Sequence, residues 1–428
     1  MRSPTAGRRL VPLAVVFLAV GLSTAMASPF LALFLTEAVR ADGVRTAAFL
    51  VAAPVSTVVV TTLVGKVSDG LRSRQGLLAG AALAGGIGAA VTASVRDYWV
   101  LLAVAVTVTA GAGAVMPQLF AYARESLGDS GRVALAISSL RSLFSLAWVA
   151  GPPLAAVLLH VGGFALVYGA SSAMYAVAAV VVLVGLDDAR PDARAAPVAA
   201  PASVGASGGP SGGSSVRARG AVAGVGPAGE AGTAPASRML VGATVLVFVL
   251  SRCAGTLSVQ GLPLFTTRVI GGGVTDAGLV LGLCAALEIP LMIGFGVASA
   301  RFPLHRLLVA GSTCGLAYLT LASLATSTWE LAAGQVLNAA SIAAMTGLGI
   351  TYVQDLLPRQ PGRASTLFTN TFASGNVLAG PVLGAAQQVG YRMPFVVGAA
   401  VSALALVLLM IARPRRAAGR PIVPVDGP

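Results

Sequence analysis

Apolar runs of about 20 residues, the length that crosses a bilayer with its backbone hydrogen bonds made internally, recur along this chain between charged or Pro/Gly breaks. They predict helices near 10–35, 46–66, 76–95, 98–122, 132–158 and 163–186, and a second set near 239–266, 276–300, 304–325, 329–354, 364–388 and 393–412. Between the sets, residues 187–237 are mainly Ala, Gly, Pro and Ser, as in SVGASGGPSGGSS, and have little to bury. They read as a disordered linker. The expected organisation is a six-helix bundle over 10–186, a cytoplasmic linker over 187–237, a second six-helix bundle over 238–412 and a cytoplasmic tail over 413–428. The first run follows Arg2, Arg8 and Arg9 and contains Ala25-Met26-Ala27, which imitates a signal-peptide cleavage site. Because the apolar run continues through PFLALFL, a retained first helix is predicted.

The two sets repeat one another. Tyr122 and Tyr352, Glu125 and Asp355, Gly131-Arg132 and Gly362-Arg363, and Gly151-Pro152 and Gly380-Pro381 all pair at offsets of about 230 residues. Parallel six-helix repeats joined by a long link are the architecture of major facilitator transporters, whose site lies between the repeats near the midplane. The fold class is therefore an all-α membrane protein with twelve helices in two parallel pseudo-repeats.

Composition and charge sharpen this picture. With 56% hydrophobic and 10% charged residues, the 428-residue chain is too apolar for a soluble domain. Its formal charge of +13 does not indicate nucleic acid, because it holds one lysine and its arginines sit between apolar runs. Arg40, Arg45, Arg96, Arg268 and Arg392 flank one side and Arg141 and Arg252 lie inside spans; the other 21 of 28 basic residues flank the side carrying both termini. The positive-inside rule then makes both termini cytoplasmic, in a multi-pass protein of the inner (plasma) membrane. Cys253, Cys284 and Cys314 lie on separate apolar segments without metal or redox spacing, and His160 and His305 lie at helix ends. No phosphate loop, nucleophile–base set or metal cluster occurs. No metal or other cofactor is expected, and the chain does not read as an enzyme.

Candidate chemistry concentrates in the spans. GKVSDGLRSR, with Gly65, Asp69, Arg72 and Arg74, fills the loop between helices 2 and 3, where Asp69 could bond helix ends and cations as a conformational latch. In LRSLFSLAWVAGPPLAAVLL, Arg141, Ser145, Trp148 and Pro152 share one helical face. The repeat offset puts Asn370, Ser374, Val377 and Pro381 on the matching face of helix 11, so the counterpart of Arg141 is an asparagine. A charge at helix centre costs about 2.5 to 3.5 kcal/mol on insertion scales and so faces a cavity or a partner. For Arg141 the candidate partner is Glu288, since both lie about 14 to 18 Å from the predicted inner helix ends at 1.5 Å per residue; Arg252 is the rival partner. Glu288 can act as a proton carrier if its distance to a cation changes, or be a static ion pair. Gly151, Pro152, Gly380 and Pro381 permit close helix approach or bending. Gln118, Tyr122, Trp148, Arg252, Gln260, Gln335, Asn338 and Asn370 supply hydrogen bonds and stacking faces that suit a neutral polyhydroxyl substrate.

MPQLFAYARE, LRSLFSLAWVAGPPLA, LEIPLM, QVLN and TYVQDLLPRQPGRASTLFTNT, spread over both halves, resemble the sugar efflux transporters of the major facilitator superfamily. The resemblance implies proton-coupled export of small sugars, glycosides or related hydrophilic compounds, and places Arg141, Trp148, Glu288, Asn338 and Asn370 on family positions. Arg252 and the long linker depart from the family pattern. The expected activity is secondary antiport by alternating access in a monomer, with protons, a sugar-like small molecule and the lipid bilayer as its partners. A multidrug exporter and a non-transporting membrane sensor are the alternatives.

Overall fold

The computed structural model describes residues 4–68, 74–127, 133–186, 238–358 and 360–413, and the described elements are all helices. The linker expected at 187–237, Asp69 and Arg72 of the loop motif, and the tail beyond 413 lie outside the described residues.

Helix α1 (Pro4–Ala27) continues after a short break into α2 (Leu31–Glu37), and the two make one bent span with a 44° angle between them. Next come α3 (Gly43–Ser68) and α4 (Arg74–Ser94). The fourth span is assembled from α5 (Tyr98–Val104), a π-helical turn (Ala105–Thr109), α6 (Ala110–Ala112) and α7 (Val115–Leu127). Asp97 caps α5 by accepting from the Val100 N–H at 3.0 Å. The widened turn is met from α3, where Ser56 Oγ donates to the Val106 carbonyl.

Helix α8 (Val133–Gly185) merges the expected fifth and sixth spans. Its one non-helical residue is Gly163, at φ 66° and ψ −164°, a conformation that suits glycine. The chain reverses there, at the break between the spans expected at 132–158 and 163–186.

The second set comprises α9 (Arg238–Phe265), continued by a π turn (Thr266–Ile270), α10 (Val274–Ser299), α11 (Leu304–Leu324), α12 (Thr328–Gly347) with its continuation α13 (Gly349–Leu356), α14 (Pro361–Val389) and α15 (Met393–Ile411). Among the described residues nine helical stretches are long and apolar enough to cross a membrane, or ten with the bent pair. The 44-residue stretch Ser142–Gly185 is long enough for two spans. The polar-rich α14 completes the twelve that the hydrophobic pattern predicts. Large apolar side chains such as Ile87, Val184 and Ile293 stand on the outside, where a soluble protein would carry charge.

The packing distinguishes the two ends of the molecule. One apolar cluster lies within the first set, around Phe17, Leu78 and Leu119, and two lie within the second, around Phe248 and Phe265. The fourth draws on both sets, joining Phe34, Leu50 and Ala155 to Leu257, Ala379 and Leu383. It lies toward the end that holds the turns at 38–42 and 271–273, here termed the distal end. Two seams close this end: α3 against α14, and α8 against α10.

At the first seam the backbones nearly touch. A Cβ on Gly384 would stand 2.2 Å from the Gly43 carbonyl oxygen, and one on Gly43 would stand 2.4 Å from the Gly384 carbonyl oxygen. At the second, a Cβ on Gly278 would meet Ala156 Cβ at 2.4 Å and the Pro152 carbonyl oxygen at 2.6 Å. At the proximal end a Cβ at Gly294 or Gly296 on α10, or at Gly362 on α14, would meet nothing among the described residues within 4 Å. Among the described residues the two sets therefore join at the distal end and part toward the proximal one.

Candidate functional site

A cavity of about 310 Å³ lies where the sets diverge, lined from α1, α8, α9, α10, α12 and α14. Each helix presents one stripe to it. On α8 the stripe is Ser145, Trp148 and Pro152, the face anticipated from spacing; on α9 it runs through Arg252, Thr256 and Gln260, and on α10 through Leu281, Cys284, Glu288 and Met292. Helix α14 adds Phe372 and Asn376, α12 adds Asn338, and α1 adds Thr24.

The polar groups in this cavity are set against apolar and aromatic walls. Arg252 lies over the Phe372 ring, its guanidinium carbon 4.1 Å from the ring centroid, and its Nε is buried without a hydrogen-bond partner. Glu288 lines the same cavity and is its electrostatic counterpart. Among the described residues Glu288 takes part in neither a direct ion pair nor a hydrogen bond. The Trp148 indole N–H and the Gln260 carbonyl oxygen are likewise buried and unpartnered. Orphaned donors and acceptors cost free energy unless something completes them, and three of them belong to residues that line this cavity.

The sequence of the chain matches the profile of the Major Facilitator Superfamily over residues 13–325 and again over 245–424. The chain belongs to the Major Facilitator Superfamily. It is 31% identical to sugar efflux transporter A of Dickeya chrysanthemi, across 91% of this chain and 92% of that one, and 30% identical to sugar efflux transporter A of Escherichia coli K12, with the same coverage. The fold superposes on a bacterial homologue of the human lysosomal transporter Spinster with a TM-score of 0.73 at 14% identity, covering 96% of this chain and 98% of the other. It also superposes on the nucleoside transporter NupG with a TM-score of 0.70 at 12% identity, covering 94% and 98%. This facilitator is accordingly a multi-pass membrane transport protein and not an enzyme.

Of the residues expected to bind substrate, Trp148, Arg252, Gln260 and Asn338 line the facilitator's cavity together with Glu288. The backbone of Arg141 lies in α8, but its side chain is outside the described residues. Gln118, Tyr122, Gln335 and Asn370 do not line the cavity. Gln118 is buried and accepts from Arg74 Nη1 at 3.3 Å, which ties two expected roles, binding and latch, to one contact away from the cavity. Tyr122 is buried in the apolar cluster of the first set. Asn370 is exposed. At 100° per residue it lies 200° and 240° around α14 from Phe372 and Asn376, so the predicted face of this helix is turned away from the cavity.

Phe372, Asn376, Thr256 and Cys284 were not anticipated. The available signal was the i, i+4, i+8 stripe of Arg252, Thr256 and Gln260, which carries Thr256 with the other two. Thr256 Oγ1 in turn lies 2.7 Å from Asn376 Oδ1. Gly151 and Gly380 mark close approaches, against Ala25 of α1 and Leu50 and Val51 of α3.

Behind Asn338 a buried polar chain runs back into the second set. Asn338 Nδ2 donates to Gln335 Oε1 at 2.9 Å and to Cys284 Sγ at 3.4 Å. Gln335 Nε2 donates to Tyr318 Oη at 3.1 Å and to the Leu331 carbonyl at 3.3 Å, and Ser258 Oγ donates to Tyr318 Oη at 3.0 Å. Gln335 is 0% exposed. Its polar atoms are satisfied by protein, as burial requires.

Proposed function

We propose that this facilitator exports small sugars, glycosides or similar hydrophilic compounds in exchange for protons, by alternating access, across the inner (plasma) membrane with both termini in the cytoplasm. The observation that carries the reading is the composition of the cavity. Among the described residues lining it, Glu288 is the one carboxylate, and it faces Arg252 without a direct bond.

A carboxylate that shares a cavity with a guanidinium changes its proton affinity when the distance between them changes. Arg252 and Glu288 both belong to the second set, so rocking of the two sets alters the proton affinity of Glu288 through its access to water and its burial against the first set, while Arg252 stays beside it. The surrounding orphan groups, Trp148 N–H, Arg252 Nε and Gln260 Oε1, support a polyhydroxyl ligand, because a hydroxyl both donates and accepts. The aromatic faces of Trp148 and Phe372 supply apolar surface for a sugar ring. The names of the relatives favour sugars within this chemistry. In this reading the distal seams form the closed gate, the proximal opening faces the cytoplasm, and the working unit is one chain.

The test is Glu288→Gln in inside-out membrane vesicles loaded by an imposed pH gradient. The substitution is expected to abolish gradient-driven accumulation of a labelled sugar while leaving the protein folded. Undiminished coupled transport would remove Glu288 from the proton path.

A further inference from the structure

We infer that Asn338 recognises a substrate hydroxyl strictly as a hydrogen-bond donor, and that Gln335, which touches no substrate, is the positioning residue that sets this polarity. The inference rests on the sugar-transport reading above and specifies what the cavity demands of its ligand.

The deduction starts from a group whose role is fixed. The Leu331 carbonyl oxygen can only accept, so the Gln335 atom within 3.3 Å of it has to be the amide nitrogen. That nitrogen also reaches Tyr318 Oη at 3.1 Å. The other terminal atom of Gln335 is then its carbonyl oxygen, and it lies 2.9 Å from Asn338. Two carbonyl oxygens repel at that distance, so Asn338 turns its own nitrogen toward Gln335. Its second N–H is taken by Cys284 Sγ at 3.4 Å. What remains for the cavity is Asn338 Oδ1, an acceptor.

An asparagine free to rotate by 180° would offer either sign and admit donors and acceptors alike. Here the backbone of α12 settles the choice through Gln335, one helical turn after Leu331, and Asn338, three residues further on. Gln260, which lines the same cavity, holds a second unpartnered acceptor in its Oε1. The wall formed by the second set thus demands ligand hydroxyls that donate, and it disfavours ethers or fluorine at the same ring position. A site built to pair a hydroxyl rejects an analogue lacking the donor because its own acceptor is left buried and empty.

The experiment uses the full-length protein in lipid nanodiscs. Binding is measured for methyl glucoside and for the set of analogues in which each hydroxyl in turn is replaced by fluorine, which keeps the size and removes the donor. In the wild type at least one fluorinated position is expected to weaken binding by about tenfold, the scale of one lost hydrogen bond. Gln335→Met, which fills a similar volume, is expected to reduce that discrimination to threefold or less, read as the ratio of dissociation constants. Asn338→Ala is expected to remove it as well. Tyr318→Phe leaves the link from Leu331 through Gln335 to Asn338 in place and is expected to retain it.

An unchanged fluorine profile in both Gln335→Met and Asn338→Ala overturns the assignment while sugar transport stands. Loss of discrimination in Tyr318→Phe equal to that in Gln335→Met overturns the positioning role, since general loosening of the cluster then accounts for both. Failure of the wild type to bind any glycoside overturns the sugar reading itself and takes the Asn338 assignment with it.

Discussion

Gly384→Ala tests how the distal gate is held. The added methyl would sit 2.2 Å from the Gly43 carbonyl oxygen, 2.6 Å from Ala47 Cβ and 2.9 Å from the Ala47 amide nitrogen. Carbon–oxygen contacts ordinarily settle near 3.3–3.6 Å, so α3 and α14 must separate by about 1 Å at this seam. Two backbones and a side chain surround the site, which leaves no flexible group to yield. Overpacking of this kind costs about 1–3 kcal/mol. The cost falls only on the state in which the distal ends meet; a state with the helices parted there carries none of it. The equilibrium is therefore expected to move toward the distally open state by about 5- to 150-fold. The assay is the distance distribution between spin labels at Val44 and Val389, exposed positions at the distal ends of α3 and α14. Gly384→Ala should populate a longer distance, and Gly43→Ala, whose methyl would meet the Gly384 carbonyl at 2.4 Å, should do the same. A distribution identical to the wild type in both variants would refute the view that glycine contact holds this end shut.

Other consequences follow from the same geometry. Arg268 bonds Glu37 across the distal end at 2.8 Å, with side chains 52% and 29% exposed; an ion pair this open is worth about 0.2–1 kcal/mol, so Arg268→Ala should shift the same distances by no more than about fivefold. Trp148→Phe keeps the apolar face and removes the unpartnered indole N–H; sugar affinity measured by titration should fall by about tenfold, and unchanged affinity would show that the indole N–H meets no ligand. Gly375→Ala would place a methyl 2.5 Å from Arg252 Cβ and 2.8 Å from the Cys253 nitrogen. Thermal unfolding should register a loss of about 1–3 kcal/mol, and the fall in sugar binding should exceed what stability alone explains, because Arg252 is displaced.

The twelve spans, the doubling at an offset of about 230 and the cavity face of the fifth predicted span, the first half of α8, were legible in the chain. Span length follows from bilayer thickness, and Ser145, Trp148 and Pro152 share a face because 3.6 residues make a turn. The repeat offset transferred less well. It aligned Asn370 with Arg141, yet α14 turns Phe372 and Asn376 toward the cavity and leaves Asn370 exposed. The rotation of a helix about its axis is set by what it packs against. For α14 the backbone contacts of Gly375 with α9 and of Gly384 with α3 decide it.

The polar residues could not be sorted by type either. Gln335 and Asn338 stand three residues apart on one helix, and only the positions of Tyr318 and Cys284, from two other helices, make the first a buried support and the second a cavity wall. Hydrophobic periodicity determines which segments enter the membrane, because transfer of apolar surface is a local property of each segment. Which side of each helix meets water, ligand or lipid is decided by close contacts between residues far apart in the chain, and those exist only once the helices have packed.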